Sequence, residues 1–188
     1  MPGFEWIDEE EKNAVMAVFD EGGVLFAHGF DGMRKHFHIR EFEQKTQEYF
    51  QVKHCLAVAS GTAAIKVALK SVGVQPGDEV ITQAFNFIAT VEAILDCGAV
   101  HVITNVDSSL NMDVDDLKSL ITNKTKAVLP VHMLGVSANM DPILKLAGQH
   151  NIPVVEDNCE SIGGTYKGKF LGTLGNAAAI SFDQGKML

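Results

Sequence analysis

The chain has 188 residues, 46% of them hydrophobic, which is enough to bury one sizeable core, so we predict a single domain. Its formal net charge of -9 argues against the positive surface by which proteins bind nucleic acids or anionic membranes. This composition favours an enzyme that acts on a small molecule.

The cysteines and the N-terminal segment indicate the compartment. Cys55, Cys97 and Cys159 are odd in number and widely spaced in apolar surroundings, so we expect free thiols in a reducing environment and no zinc site. The N-terminus has no basic region followed by an apolar run, and no apolar stretch reaches the length of a membrane span. We therefore expect a cytoplasmic protein.

The first quarter of the chain predicts two helices. Residues Asp8–Asp20 carry apolar side chains on one helical face and acids in the first turn, which predicts a surface helix. Two glycines end this helix, and Val24–Phe26 is expected to begin a short extended piece. A second helix is predicted over Glu41–Phe50.

Basic residues are concentrated just before the second helix, at Arg34, Lys35, His36, His38 and Arg40. In an acidic chain, such a cluster would set up a local positive potential that attracts an anionic substrate. A solvated loop without a binding role explains the cluster equally well. Metal binding by the two histidines is less favoured, because no third ligand has a suitable spacing, and we predict no metal site.

The rest of the chain alternates short apolar runs with helical patterns. The apolar runs predict strands at Cys55–Ala59, Glu79–Thr82, Val100–Val106, Lys126–Val131, Pro153–Val155 and Ala177–Phe182. Helices are expected to begin near Thr62, Phe87 and Asp113, and another is predicted over Met140–His150. This order predicts an α/β fold, with a mostly parallel sheet and helices on both faces.

The last two strands deliver three functional groups to one edge of the sheet. Asp157 comes just after the apolar run that begins at Pro153. Ser181 lies near the end of the run that begins at Ala177, and Lys186 comes shortly after that run. Ligands of open α/β sheets bind at the carboxyl ends of strands. An acid for the pyridine nitrogen, a hydroxyl for the phosphate and an amine for the aldehyde suit pyridoxal 5'-phosphate. Taken singly, each residue could equally be an ordinary turn or surface residue.

The segment E-D-N-C-E-S-I-G-G-T-Y-K-G-K-F-L-G-T-L-G followed by I-S-F-D-Q-G-K closely resembles the sugar aminotransferases of the DegT/DnrJ/EryC1/StrS family. The resemblance covers nearly the whole chain. It implies the large domain of fold type I, the aspartate aminotransferase-like fold of pyridoxal phosphate enzymes. It also implies transfer of an amino group, usually from glutamate, to a keto- or aldehydo-sugar, through a pyridoxamine phosphate form of the cofactor.

The resemblance assigns further roles to individual residues. It places the cofactor phosphate at Gly61, Thr62 and Ala63, where a helix N-terminus is expected. Phe87 corresponds to the aromatic residue that stacks on the pyridine ring, although taken alone it could equally be a core phenylalanine at a helix start. Glu160 stands where many relatives have glutamine or histidine against the cofactor's 3-hydroxyl. His132 lies near the expected floor of the active site, although a structural histidine is equally plausible there.

The same residues also bear on two alternative functions, one within the family and one non-catalytic. Sugar dehydratases of the same family resemble this sequence but have histidine in place of the Schiff-base lysine, so Lys186 argues against them. A non-catalytic relative would be expected to have lost Asp157 or Lys186, and both are present.

The resemblance also bears on chain length, assembly and substrate. Family chains are about twice as long, so we interpret residues 1–188 as a cofactor-binding large domain that stops just after the Schiff-base lysine, without the C-terminal small domain. A homodimer is expected. The basic segment and the sequence as a whole are most similar to an 8-amino-3,8-dideoxy-octulosonate transaminase of lipopolysaccharide biosynthesis, with Arg34, His36, Arg40 and His132 as candidate substrate residues. Nucleotide-linked 4-keto-sugars are the alternative acceptors.

Overall fold

The computed structural model describes residues 7–183 and 185–186 and contains two compact units, residues 1–57 and 58–188. The helices are α1 (Glu9–Asp20), α2 (His38–Phe50), α3 (Gly61–Ser71), α4 (Ile88–Asp96), α5 (Val114–Leu120) and α6 (Met140–Gln149), with a 3-10 turn at Met133–Gly135. The strands are β1 (Glu79–Gln83), β2 (Val100–Thr104), β3 (Thr125–Leu129), β4 (Val155–Asp157), β5 (Thr165–Tyr166), β6 (Lys169–Phe170) and β7 (Ala177–Ala179). None of the described helices is long and apolar enough to cross a membrane.

The first unit contains α1 and α2. Asp8 caps α1 in a reciprocal capping box with Glu11, which satisfies the first backbone amides of the helix. No residue of α1 is buried, which confirms the prediction of a surface helix. Helix α2 starts at His38, three residues earlier than predicted, and buries Thr46 and Phe50. The residues Val24–Phe26 form no strand.

The second unit is built on parallel strands. Strand β1 pairs with β2 on one side and β3 on the other, both in parallel, and β4 pairs in parallel with β7. Parallel bridges at Val128–Val154 and Val131–Asp157 join the two groups, so the strand order is β2-β1-β3-β4-β7. A short antiparallel hairpin of β5 and β6 lies between β4 and β7 in the sequence.

Apolar side chains alternate between the two faces of this sheet. Val80 and Leu129 pack against Leu69 of α3 and Ile94 of α4. The residues next to these two along β1 and β3 face the other side of the sheet and pack in a separate core that includes Ile143 of α6. A fully buried leucine or isoleucine contributes about 1.5 to 3 kcal/mol of hydrophobic free energy. The cores on both faces of the sheet therefore stabilise the position of its strands. The prediction of a parallel sheet with helices on both faces is confirmed.

The predicted strand Cys55–Ala59 is wrong. This segment is extended but has no strand partner among the described residues, and Leu56 and Val58 are exposed. An apolar run becomes a buried strand only when a neighbouring strand takes up its hydrogen bonds and another layer covers it. The other predicted strands are present, although β2 and β7 are shorter than expected and β4 begins at Val155, two residues later than predicted.

Candidate active site

A cavity of about 330 Å³ opens in the second unit beside the carboxyl ends of the parallel strands. Its walls come from the starts of α3 and α4 and from the segments that follow β3, β4 and β7. It brings together seven residues that the sequence singled out, namely Gly61, Thr62, Phe87, Asp157, Glu160, Ser181 and Lys186. Residues that are distant in sequence therefore share one cavity in the fold.

Asp157 ends β4 and is 3% exposed, with its carboxylate held by two donors. The Thr90 hydroxyl donates to Oδ2 at 2.8 Å, and the Cys159 amide donates to Oδ1 at 3.1 Å. A carboxylate can accept about four hydrogen bonds, so each oxygen keeps a lone pair for a further donor. The side chain is thus a fixed acceptor on the cavity wall.

The N-terminus of α3 forms another part of the cavity. Ser60 is the N-cap, and its hydroxyl accepts from the Ala63 amide at 3.1 Å. Ala63, which was predicted to bind phosphate, therefore gives its amide to the cap. The first amides of a helix have no intrahelical acceptor, which leaves Gly61 and Thr62 as its donors to an anion.

Gly61 is needed for the close approach of α3 to the strand ends. A Cβ atom at this position would lie 3.3 Å from Cys159 Sγ and 3.3 Å from Ser181 Cβ. Both neighbours are buried, so they have little room to move aside. The glycine lets the helix N-terminus and the Ser181 hydroxyl lie next to each other. Burial raises the pKa of the Cys159 thiol above its ordinary value, with a smaller contribution from the nearby Asp157 carboxylate.

Lys186 lies between an acid and an aromatic ring. Its Nζ atom is 3.6 Å from Glu160 Oε1 and 5.6 Å from the centroid of the Phe87 ring. The Lys186 and Glu160 side chains are each 22% exposed, so water has only partial access to the pair. The amine is held inside the cavity by a charged and an aromatic partner.

The positions of Phe87 and Glu160 depend on the start of α4 and on the 3-10 turn. Phe87 is the N-cap residue of α4 and is 60% exposed. Glu160 Oε2 accepts from the Leu134 amide at 3.4 Å, and Leu134 has a positive φ of 51° in the 3-10 turn. Phe87 is thus not the buried core residue that was its alternative interpretation. It presents its ring beside the cavity.

His132 does not line the cavity, and the structure instead supports the structural alternative for this residue. Its ring is fully buried. The Ala138 amide donates to Nδ1 at 3.1 Å, so the ring hydrogen is on Nε2, which donates to Glu156 Oε2 at 3.0 Å. With both nitrogens occupied, the imidazole has no free group for a substrate.

Glu156 is the centre of a buried network that sequence reasoning missed. Besides His132, three backbone amides donate to its carboxylate, those of Gly172, Leu174 and Gly175, at 2.9, 2.7 and 2.6 Å. Burial alone would raise the pKa of Glu156, but the hydrogen bonds from His132, Gly175 and Gly172 outweigh it and hold the pKa below the ordinary value. The carboxylate anchors the loop between β6 and β7.

The basic segment of the first unit has partners within its own unit. Arg34 donates to the carbonyls of Phe26 and Ala27 at 2.6 and 3.2 Å, and Arg40 pairs with Asp31 at 3.1 Å. Both guanidinium groups also lie over the ring of Phe37.

The two histidines of this segment share one acid. His36 Nε2 lies 3.4 Å from Glu21 Oε1, and His38 Nε2 lies 4.0 Å from Glu21 Oε2. Together with the arginine contacts, these interactions favour the alternative of a loop stabilised by its own charges over a substrate site.

Thr90 was also missed, although the sequence carries a signal for it. It occupies the buried face of α4 that also carries Ala93 and Ile94. A threonine among apolar residues at helical spacing, three positions after Phe87, indicates a hydroxyl with a buried partner. The pattern does not reveal that the partner is Asp157.

Comparison with known proteins identifies the family of this chain. Residues 7–188 match the model of the DegT/DnrJ/EryC1/StrS aminotransferase family. The chain is 43% identical over 183 residues to a GDP-perosamine synthase of Caulobacter vibrioides, covering 97% of this chain and 47% of that protein. The chain therefore belongs to the DegT/DnrJ/EryC1/StrS aminotransferase family. It spans less than half the length of the curated relatives it matches.

Solved structures show the same fold. An X-ray structure of an aminotransferase from Psychrobacter cryohalolentis superimposes with a TM-score of 0.87 at 34% identity, over 96% of this chain and 44% of that one. A GDP-4-keto-6-deoxy-D-mannose-3-dehydratase of Escherichia coli with bound hydrated PLP gives 0.77 at 30% identity, over 90% and 43%.

Proposed function

We propose that this chain carries the cofactor site of a pyridoxal phosphate-dependent aminotransferase that transfers an amino group to a keto- or aldehydo-sugar. The observation that carries the proposal is that the Lys186 amine, the Asp157 carboxylate and the N-terminus of α3 open on one cavity. Family membership and the similarity to a GDP-perosamine synthase support it.

The residues of the cavity fit pyridoxal phosphate. The amides of Gly61 and Thr62 and the hydroxyl of Ser181 would hold the phosphate, and Asp157 would accept from the pyridine nitrogen. Phe87 would cover the ring, and Lys186 would hold the aldehyde carbon. The Gly61 backbone lies so close to Ser181 that a methyl group would crowd the buried hydroxyl, so the glycine lets the amides of α3 and this hydroxyl act on the same phosphate.

When bound, the cofactor supplies an electron sink for the carbanion that forms when the amino donor loses a proton. Lys186 Nζ would take that proton and later return it, as general base and then general acid. Glu160, 3.6 Å from this amine, would balance its positive charge. The fixed negative charge of Asp157 would favour a protonated ring nitrogen.

Lys186 also favours transamination over the related sugar dehydration. The family's dehydratases resemble this sequence but have a histidine at the lysine position. In the structure the Lys186 amine lies inside the cavity beside Glu160 and Phe87, where it can act on the reacting carbon.

Glutamate is the proposed amino donor, and a nucleotide-linked keto-sugar is the proposed acceptor. The acceptor is inferred from relatives, which include GDP-perosamine synthases and a UDP-2-acetamido-2-deoxy-3-oxo-D-glucuronate aminotransferase. The octulosonate acceptor draws in part on the basic segment, whose arginines bond within their own unit. It stays a second candidate.

A homodimer is proposed as the active assembly. Exposed apolar side chains near the cavity support it: Phe87 lines the cavity, Ile88 follows it in α4, and the Leu134 amide donates to Glu160 of the cavity, and all three side chains are largely exposed in the single chain. Sedimentation equilibrium of the active protein measures its mass directly. A fully active monomer would contradict the proposal.

The cofactor and the reaction are tested together. Pyridoxal phosphate added to the protein should give a visible absorbance band, and borohydride reduction should fix a pyridoxyl group on Lys186, located by peptide mass spectrometry. A panel of GDP- and UDP-linked keto-sugars and the keto-octulosonate, each with glutamate, then identifies the acceptor. No band and no pyridoxyl-modified peptide would refute the proposal.

The basic segment is tested on the same panel. If it binds an anionic acceptor, Arg34→Ala and Arg40→Ala should raise KM for the sugar about ten- to hundred-fold with little change for glutamate, because a charged hydrogen bond is worth roughly 1.5 to 3 kcal/mol. Small and equal changes for both substrates would assign the segment a structural role.

A further inference from the structure

Among the described residues, Thr90 provides the one side-chain hydroxyl that donates to Asp157. Its hydroxyl is buried in the first turn of α4 and donates to Oδ2 at 2.8 Å, although the two residues are 67 positions apart. A threonine in a helix commonly turns its hydroxyl back to a carbonyl of the preceding turn. Here the hydroxyl is bonded to the acid of the cavity instead.

The same helical turn carries Phe87. The Thr90 amide donates to the Phe87 carbonyl at 3.0 Å, so the position of one residue fixes the position of the other. A single rigid turn therefore connects the ring beside the cavity with the carboxylate on its wall. The Thr90 hydroxyl bridges this turn of α4 to the end of β4 and therefore helps to set the distance between Phe87 and Asp157.

We propose that Thr90 is a positioning residue of the cofactor site, which fixes both the direction of the Asp157 carboxylate and the register of Phe87 against it. The inference rests on the proposed cofactor. The Cys159 amide holds Oδ1, and the Thr90 hydroxyl holds Oδ2, so the carboxylate cannot rotate without losing a donor. Each oxygen keeps a free lone pair, and one of these would accept from the ring nitrogen.

A purely structural role is the competing explanation, and the chain provides a matched control for it. Thr82 on β1 is also fully buried, and its hydroxyl also donates at 2.8 Å, to the Leu129 carbonyl. It does not line the cavity. Replacing either threonine by valine keeps the shape and removes one buried hydroxyl, so both variants should lose stability, Thr90→Val the more because its acceptor is a carboxylate.

The experiment compares Thr90→Val, Thr90→Ser and Thr82→Val in the full chain. The equilibrium dissociation constant for pyridoxal phosphate is measured by absorbance titration, and Tm is measured without cofactor. Thr90→Val should weaken cofactor binding roughly ten- to hundred-fold, the range expected for a hydrogen bond to a charged group. Thr90→Ser keeps the hydroxyl and should stay within about three-fold of the parent, as should Thr82→Val.

The possible results distinguish a failure of the proposed function from a failure of the proposed role of Thr90. If the parent protein does not bind pyridoxal phosphate, the proposed function fails. If the parent binds it and Thr90→Val binds as tightly, or Thr82→Val loses as much affinity, only the role of Thr90 is overturned. Should Thr90→Val not fold, Thr90→Ser decides alone, because a ten-fold loss of affinity with the hydroxyl retained would contradict the proposal.

Discussion

Glu156 and Asp157 are adjacent on β4, yet one anchors a loop and the other faces the cavity. Successive side chains of a strand point to opposite faces of the sheet, so Asp157 shares the face of Val155 with α3, and Glu156 shares the face of Val154 with α6. Both acids are buried. We refer to the surroundings of Asp157 as the cavity side and those of Glu156 as the anchor side.

The difference between the two sides lies in the number of donors. Four hydrogen bonds, from His132 and three backbone amides, use the acceptor capacity of Glu156. Among the described residues, two backbone or hydroxyl donors reach Asp157, which borders a cavity. A buried carboxylate that is fully satisfied stabilises the fold, whereas one with unused lone pairs beside a cavity is available to a ligand.

The largest expected effect is on the cavity side, at Lys186. Lys186→Ala removes the amine that would hold the cofactor and move the proton, so turnover should fall at least about a thousand-fold and the visible absorbance band should be lost. Lys145→Ala, at an exposed position on α6, is the control and should behave as the parent. Normal turnover of Lys186→Ala would show that the cavity side is no more catalytic than the anchor side.

Asp157→Asn tests the charge on the cavity side. The amide keeps the shape and loses the negative charge that would favour a protonated ring nitrogen, so kcat should fall on the order of a hundred-fold. Cofactor affinity should fall less, because the phosphate contacts are unaffected. Equal losses of rate and affinity would show that the acid acts only in binding.

The sequence predicts the cavity side well, because strand ends in a parallel sheet must meet at one edge. Asp157, Ser181 and Lys186 were placed together by that rule, and family resemblance added Gly61, Thr62 and Phe87. The order of strands and helices was also predictable from the alternation of apolar runs, since that periodicity reports burial directly.

The anchor side could not be predicted from the sequence. The partners of Glu156 are backbone amides of a loop 16 to 19 positions away, and amides carry no sequence signal. His132 looked like a candidate for substrate binding because its type fits that role, while its burial depends on tertiary packing. The segment Cys55–Ala59 failed for the same reason, because an apolar run does not show whether a partner strand is present.

Glu156→Gln should separate the two sides in the opposite sense to Asp157→Asn. The glutamine NH2 would face backbone donors that need an acceptor, so the free energy of unfolding should fall by about 3 kcal/mol. Glu92→Gln, at an exposed position on α4, is the matched control. Chemical denaturation measures both, and an unchanged stability of Glu156→Gln would contradict the anchoring role.

The acid dependence of stability gives a second test of Glu156. Its pKa in the folded protein lies below the ordinary value of 4.5, so the folded state favours the ionised form. The resulting stability is fully present above pH 4.5 and is lost as the pH falls through the lower folded pKa. The stability of Glu156→Gln should therefore decline less steeply than that of the parent below pH 4.5. Parallel curves would exclude Glu156 as a source of the acid sensitivity.

The smallest expected effect is at Ser161, which supports the anchor side indirectly. Its buried hydroxyl donates to the His132 carbonyl at 2.7 Å, so Ser161→Ala leaves that carbonyl without this partner and should cost about 1 kcal/mol of unfolding free energy. Ser119→Ala removes a similar hydroxyl-to-carbonyl bond of 2.8 Å at an exposed site, where water replaces it, and should cost little. Cofactor affinity should be unchanged in both variants. A large loss of affinity in Ser161→Ala would show that the anchor side also positions Asp157, since the amide of His132 donates to the Asp157 carbonyl at 3.0 Å.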